Sequence, residues 1–355
     1  MKVVNAFNVN HALYQGLGEI QKEGVFRPSR NGPVLEFPQP VTTRYARPQQ
    51  RVLFNSVRNH NSIFAWAESL WMLAGRDDLA FLIPLNKGMA KYSDDGSTVR
   101  GSAYGKRWRS WFGHDQLESV IKRLRADIND RRCVIQHWDA ATDNILDSKD
   151  VPCNTVLYPY VRPADNPQGY RLDLTVSCRS NDMIFGAYGS NAVHFSILQE
   201  LIAGAIKVPV GEYFQVSNSL HFYTENEASK KTMDAFNSRH PSFKLEGFDY
   251  SGRGVVPFPL LSGVETYEDF IRDTYRFFEE VDAGRTVRSS VFATSWFKVV
   301  WTPAWNSHMV WKFEQNSPSR LRQTLDTLED CQAEDLSLDL RRWYSRRALP
   351  RPEIN

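Results

Sequence analysis

Apolar residues recur at steps of three and four through Phe64, Ala67, Trp71 and Ala74, the period of one helical face, and predict a helix over 64–74. Gln116 to Asp127 repeats the pattern, with Leu117, Val120, Ile121 and Leu124 on one side. The period then changes. Past Asn129-Asp130 the run Cys133-Val134-Ile135-Gln136-His137-Trp138 predicts a strand, and Arg171 to Cys178 alternates as a half-buried strand does. Ala192 to Val208 reads as a buried helix, with Val193, Ile197, Leu201 and Ala205 at four-residue steps. Further on, Tyr267 to Val281 predicts an amphipathic helix around Phe270, Tyr275 and Phe278. Ser295 to Trp311, with its four tryptophans, predicts aromatic, partly buried strands, and Leu321 to Leu340 is charged and helical in character.

Composition sets limits. A chain of 355 residues can bury a substantial core, and one large domain or one domain with a C-terminal elaboration both fit that length. A net charge of +2 with nearly balanced acids and bases does not suggest a protein that coats nucleic acid, so no nucleic-acid partner is expected. The cysteines at 133, 153, 178 and 331 form no C-x-x-C pair and have no nearby His-x-x-x-His, so no metal site is expected. Met1 to Ile20 is interrupted by Asn5, Asn8, Asn10, His11 and Gln15 and lacks the apolar core of a signal peptide; no segment approaches the roughly 18 to 20 apolar residues that span a bilayer. The cytoplasm is the expected location. No internal repeat or low-complexity tract is present.

The chemistry concentrates in Val151-Pro152-Cys153-Asn154, Cys178-Arg179-Ser180-Asn181-Asp182 and Gly186-Ala187-Tyr188-Gly189-Ser190-Asn191. A free thiol titrates near ~8.5 and needs nearby positive charge to be a thiolate at neutral pH; Arg179 could supply it, and its planar fork with the Ser180 hydroxyl could hold a phosphate. That kit suits covalent chemistry on a nucleotide. Isolated, each part has a plainer reading. A lone cysteine is usually a small buried hydrophobe, Glu68 beside the apolar stripe is an exposed helix charge, and Arg131-Arg132 is a solvated pair at a strand end. Ser190 and Asn191 would cap the helix that follows, and His221 and Tyr223, on one face of a strand, would be a hydrogen-bonded core pair.

Six ordered segments change that balance: Glu68-Ser69-Leu70-Trp71, Tyr104-Gly105-Lys106-Arg107-Trp108-Arg109, Arg131-Arg132-Cys133-Val134-Ile135, Pro152-Cys153, Arg179-Ser180-Asn181-Asp182 and His221-Phe222-Tyr223. In order and at near-family spacing they resemble the thymidylate synthase superfamily, which includes the pyrimidine nucleotide hydroxymethylases. The resemblance implies an α/β (α+β) thymidylate synthase-like fold, a large mixed β-sheet flanked by helices, paired sheet to sheet in a homodimer. Residues 1–355 would form one such domain, less recognisable from about residue 235. Cys153 would add to C6 of a pyrimidine nucleoside monophosphate, with Glu68 ordering water and shuttling protons and with Tyr104, Asp182 and Asn191 as further catalytic residues. Arg179, Ser180 and Arg30 would hold the phosphate, with Arg27 and Arg44 as competitors for the place of Arg30. Arg131 and Arg132 would reach the partner subunit's phosphate. His221 and Tyr223 would hold the sugar, Asn154 and Asn191 would meet the base, Asp182 the pterin, and Arg58 the acidic tail of the folate. Methylenetetrahydrofolate is the implied co-substrate.

Three departures bear on the product. The synthases usually carry His after the nucleophile, where this chain has Asn154. From Gly186 to Asn191 the chain is one residue longer than the synthases, with Asn191 the best match to their base-reading amide. The synthases close over folate with a short apolar tail, whereas Ser345 to Asn355 is basic and proline-broken. These point away from hydride transfer, so the expected activity is folate-dependent C5 hydroxymethylation of dUMP or dCMP/CMP, in a host cytoplasm if the source is viral. The alternatives are a thymidylate synthase, which turns dUMP into dTMP with release of dihydrofolate, and a non-catalytic nucleotide- or RNA-binding relative.

Overall fold

The computed structural model of the protein describes residues 1–144, 147–243, 250–315 and 317–348. Its larger sheet joins β1 (Lys2–Ala6), β4 (Val41–Tyr45), β5 (Ile135–Gln136), β6 (Asn154–Pro163), β7 (Tyr170–Cys178) and β9 (Val210–Ser217) in the order β1-β4-β9-β7-β6-β5. The pairing is mixed: β1 with β4 and β7 with β9 run parallel, the other neighbours antiparallel. A smaller sheet holds β2 (Val25–Arg27), β3 (Val34–Glu36), β8 (Asn181–Asp182) and β10 (Leu220–Tyr223) in the order β2-β3-β10-β8. This is the expected α/β architecture with a large mixed sheet. The strand expected over 133–138 pairs only at Ile135 and Gln136, opposite Leu157 and Val156.

The junction of the two sheets places the chemistry. Strand β6 begins at Asn154, which pairs with Cys178 at the end of β7, and Cys178 pairs with Ser217 at the end of β9. Beyond that line β7 and β9 both cross into the small sheet, as β8 and β10. Cys153 therefore precedes one strand end, and Arg179-Ser180 fills the turn between two sheets.

Two helices wall this junction. Helix α1 (Val9–Glu23) is capped by Asn8, whose side chain accepts from the Asn10 and His11 amides. Helix α2 (Ser62–Leu73) is capped by Asn61, and every residue in it is buried, including Glu68 at 6% exposure. The apolar stripe read from the sequence is thus one side of a helix enclosed all round, as its uniformly apolar composition requires. Leu70, Met72 and Leu73 there contribute on the order of 1.5–3 kcal/mol each through burial. After α3 (Gln116–Ala126), helix α4 (Asn191–Ala205) is also almost wholly buried and packs against α2.

The later chain adds α5 (Glu227–Asn237), α6 (Tyr267–Asp282), α7 (Thr302–Phe313), α8 (Arg320–Leu328) and α9 (Glu334–Ala348). Residues 295–311 are not the expected strands: a wide π-turn over Phe297–Trp301 leads into α7. Aromatic content signals a strand only in the absence of a helical period, and Trp301 and Trp305 stand one helical turn apart with Pro303 at the first turn, where proline is tolerated. Trp296 stacks on Trp301 at 5.9 Å and on Trp66 of α2 at 5.4 Å, so this segment is core. The helix expected over 321–340 is broken between Leu328 and Glu334. Residues 349–355, most of the basic tail, lie outside the described residues.

Candidate active site

Cys153 is an exposed residue whose sulfur is nonetheless crowded. That crowding pushes the thiol above its ordinary value, the Arg179 and Arg30 guanidiniums pull it down, and Asp150 and Asp182 add to the rise. Arg179 is fastened to the nucleophile loop: its backbone N–H donates to Cys153 O at 2.9 Å, its Nε to Pro152 O at 2.8 Å and its Nη2 to Val151 O at 3.1 Å, which leaves that Nη2 4.0 Å from Sγ. A bound phosphate would have to share this guanidinium, and Ser180 lies half-buried beside it. Arg30 stands in the exposed turn between β2 and β3. Its competitors are occupied: Arg27 pairs with Glu36 at 3.0 Å, and Arg44 forks onto Glu212.

Behind the thiol lies a buried cluster of amides. Asn154, wholly buried, receives Cys178 Sγ–H at 2.7 Å and donates to Asn191 Oδ1 at 3.5 Å; Asn191 donates to Asn181 Oδ1 at 3.2 Å, and Asn181 to Ser217 Oγ at 3.1 Å. Met183–Ser190 winds as a wide π-turn with a kink at Tyr188 and Gly189. Asn191 thereby meets Asn154. Ser190 makes no side-chain cap, so the plain N-cap reading of this pair does not hold. Gly186 has no room for a side chain, since a Cβ would lie 2.6 Å from Asn181 Oδ1.

On the other side Tyr104 Oη accepts from the Asn154 amide at 3.3 Å, its ionisation opposed first by burial and then by Cys153. Its ring stacks on His137 at 4.7 Å, and His137 receives Trp108 Nε1. Asp150 accepts from the Gly101 and Ser102 amides at 2.8 and 2.7 Å, which ties the loop before Tyr104 to the loop before Cys153. Glu68 reaches in from α2, with its Oε2 3.0 Å from His194 Nε2 of α4.

A third group lies across the small sheet. His221 pairs in register with Asp182, and burial lowers the imidazole while the Asp182 charge opposes that. Tyr223 meets the His221 ring edge to face at 5.1 Å. Asp182 Oδ1 accepts from the Ile184 and Phe185 amides at 2.6 and 2.8 Å, and burial still holds the carboxyl above its usual range. Both bonds fall on the same oxygen. Arg58 donates to Ile184 O at 3.0 Å and covers the Phe185 ring at 4.6 Å; its burial lowers the guanidinium to about 10. Phe185 itself is 39% exposed. An aromatic face, a carboxyl and a cation thus lie next to one another.

Arg131 and Arg132 are both exposed and make no contact with this cluster among the described residues; Arg132 forks onto Asp130 of its own chain at 2.8 and 2.9 Å. An open groove of about 760 Å3 lined by Glu118, Tyr267, Tyr275 and Phe292 shares no residue with the Cys153 cluster. Phe185 and three further members of the site escaped the sequence reading. Asn181 sat unremarked inside Arg179-Ser180-Asn181-Asp182, Asp150 stood three residues before the nucleophile, and His194 lay one turn after Asn191 on the same helical face.

The chain is similar to several known proteins. A family model described as thymidylate synthase matches residues 13–271. The deoxyuridylate hydroxymethyltransferase of Pseudomonas phage M6 is 41% identical over 348 residues, 98% of this chain and 95% of the relative. A second protein of that name, from Bacillus phage SP01, is 37% identical over 61% of this chain and 58% of its own length. The thymidylate synthase of Symbiobacterium thermophilum is 32% identical over 49% of this chain and 60% of its own length.

Proposed function

The chain belongs to the thymidylate synthase family, and on that premise we propose that it is a one-carbon transferase that hydroxymethylates C5 of deoxyuridylate with methylenetetrahydrofolate. The observation that carries the reading is the 41% identity to a phage deoxyuridylate hydroxymethyltransferase along 98% of the chain, well past the segment the family model covers. The departures at Asn154 and at the π-turn before Asn191 support it. An amide cluster stands where the synthases place a histidine.

Cys153 adds to C6 of the pyrimidine, with Arg179 and Arg30 lowering the cost of its thiolate. Arg179, Arg30 and Ser180 hold the phosphate. Asn191, oriented by Asn154 and Asn181, presents an amide that can donate to and accept from a uracil edge. His221 and Tyr223 hold the sugar, and Tyr104 lies against the base of the nucleophile strand. Methylenetetrahydrofolate, when bound, supplies the one-carbon unit; Asp182, Phe185 and Arg58 are placed to hold its pterin, ring and acidic tail. Transfer of that carbon to C5, with loss of the C5 proton and departure of tetrahydrofolate, would leave an exocyclic methylene; Glu68 takes a proton from the water that adds to it, the electron pair passes to the ring carbonyl, and its return expels the Cys153 thiolate.

A homodimer packed through the large sheets is part of the proposal, with Arg131 and Arg132 completing the partner's phosphate site. Phe214 and Val216 of β9, only half-buried on the face of that sheet opposite the buried Tyr213 and Gln215, support a covering surface. No helix among the described residues is long and apolar enough to cross a membrane; a cytoplasmic location, which for a phage enzyme is the host's, completes the proposal.

The test is mass spectrometry of product from the pure protein with methylenetetrahydrofolate and each of dUMP, dCMP, UMP and CMP. A hydroxymethyl gain on dUMP is expected. A methyl gain with stoichiometric dihydrofolate would make the protein a synthase, and no product from any nucleotide would leave only a binding role.

A further inference from the structure

The imidazole of His194 has no task in the chemistry above, yet it is placed at considerable cost. The ring is 4% exposed, and neither of its nitrogens has an aligned hydrogen bond among the described residues. Its Nε2 lies 3.0 Å from Glu68 Oε2, with both side chains closed off from solvent. A buried imidazole with no aligned hydrogen bond is costly, and such groups are retained in folds chiefly where they work.

The surroundings specify the work. His194 stands one turn after Asn191 on α4, the helix that presents the base-reading amide, and Glu68 stands on α2, which packs against it. His60, just ahead of α2, is buried with its Nε2 also unpartnered. Burial, Arg58 and His194 together lower His60 to about 3, so a neutral ring flanks the pair at neutral pH. Among the described residues Glu68 is the charged group in contact with His194, while Arg58 acts on the neighbouring His60. A short distance with poor alignment is what an acid and an imidazole show when the bond between them tightens only in the working complex.

We propose that His194 is the positioning residue for Glu68: it fixes the carboxylate toward the base and holds the proton that Glu68 removes from water. The inference rests on the hydroxymethylase reading. Its balance is simple. Water loses a proton to the Glu68 carboxylate as its oxygen bonds to the exocyclic methylene, the proton passes to the imidazole Nε2, and it returns through Glu68 to solvent when the product leaves. Glu68 is restored as carboxylate and His194 as neutral imidazole, and no oxidant or reductant is consumed.

The experiment compares wild type, His194→Gln, His194→Asn, Glu68→Gln and the double variant by product formation. The Gln side chain keeps a donor near Glu68 and cannot carry a proton. The expected result is a kcat lower by about tenfold to a hundredfold in both His194 variants, the range for groups that orient a working side chain, with KM for dUMP within about threefold and an unchanged melting temperature. In the Glu68→Gln background the same His194 substitution is expected to cost almost nothing further, because the two act as one unit. Full additivity, or a His194→Gln kcat within about threefold of wild type, would overturn the proposal. If the variants fold poorly, 15N-histidine spectra decide: one imidazole signal must move between wild type and Glu68→Gln, and no movement overturns it equally. A wild type that makes no hydroxymethyl product would instead refute the hydroxymethylase reading.

Discussion

Ser62, the first residue of the helix that carries Glu68, donates its hydroxyl to Asp339 of the last helix at 2.6 Å. A neighbouring contact repeats the arrangement, since Tyr250 donates to Asp335 at 2.9 Å, and Arg347 reaches back to Asn59 at 2.8 Å. The final helix is thus bolted to the approach of the catalytic one. Burial lifts Asp335 and Asp339 from 3.8 to about 6. A carboxyl with a raised folded value binds its proton more tightly folded than unfolded. The stability it lends is whole below about pH 4 and is lost as pH rises through about 6. Asp339→Asn keeps an acceptor for Ser62 and should stabilise the protein at pH 8 by about 2–3 kcal/mol, an upper figure from the two-unit shift, and by about half that at pH 5. Urea midpoints at the two pH values check this, and an equal gain at both would refute it.

Gly186 supports the base-reading amides by having no side chain. Gly186→Ala would drive a methyl group into Asn181 Oδ1 and should cost about 1–3 kcal/mol of stability along with most of the turnover. Adding Asn181→Ala should restore the melting temperature and leave activity low, because the freed space no longer holds Asn191. Recovery of both would mean that Asn181 has no part in the chemistry.

The Cys153 thiol titrates above its usual value despite Arg179. Alkylation by iodoacetamide should therefore accelerate with pH up to and beyond pH 9. In Arg179→Met the curve should move to higher pH, since burial and the two aspartates remain and the larger of the opposing charges is gone. Arg179→Lys should fall between them. A curve that does not move would place the guanidinium too far from sulfur to matter.

Arg58, laid over Phe185, should act on the folate alone. Arg58→Gln is expected to raise KM for methylenetetrahydrofolate about tenfold, the worth of one charge-assisted contact, with dUMP affinity measured by calorimetry unchanged. A matching loss of dUMP affinity would move Arg58 to the nucleotide side of the site.

Local pattern carried the sequence reading far where the chain is regular. The alternation of Arg171 to Cys178 and the four-residue steps from Val193 to Ala205 gave a strand and a helix that stand within a few residues of Tyr170–Cys178 and Asn191–Ala205. Cys153, Arg179 and Asn191 were legible as a kit because their residue types are chemically marked. His194 was not, since its meaning lies in Glu68, far away in sequence and on another helix. Asn181 was hidden by the opposite cause: it is a small amide among many, informative only when Asn154 and Asn191 close on it. Ser295 to Trp311 failed because ring content was weighed above ring spacing, and the spacing was helical.

The contact between Ser62 and Asp339 also has a consequence in time. The ribosome makes Ser62 277 residues before Asp339, so the catalytic helix exists long before the residue that anchors its entrance. Glu68 and Cys153 can find their strands and helices during synthesis, but the catalytic helix is not secured until the helix of Asp339 has been made and docks. A nascent chain stalled before residue 339 would carry every group of the active site and still lack the clasp that holds it shut.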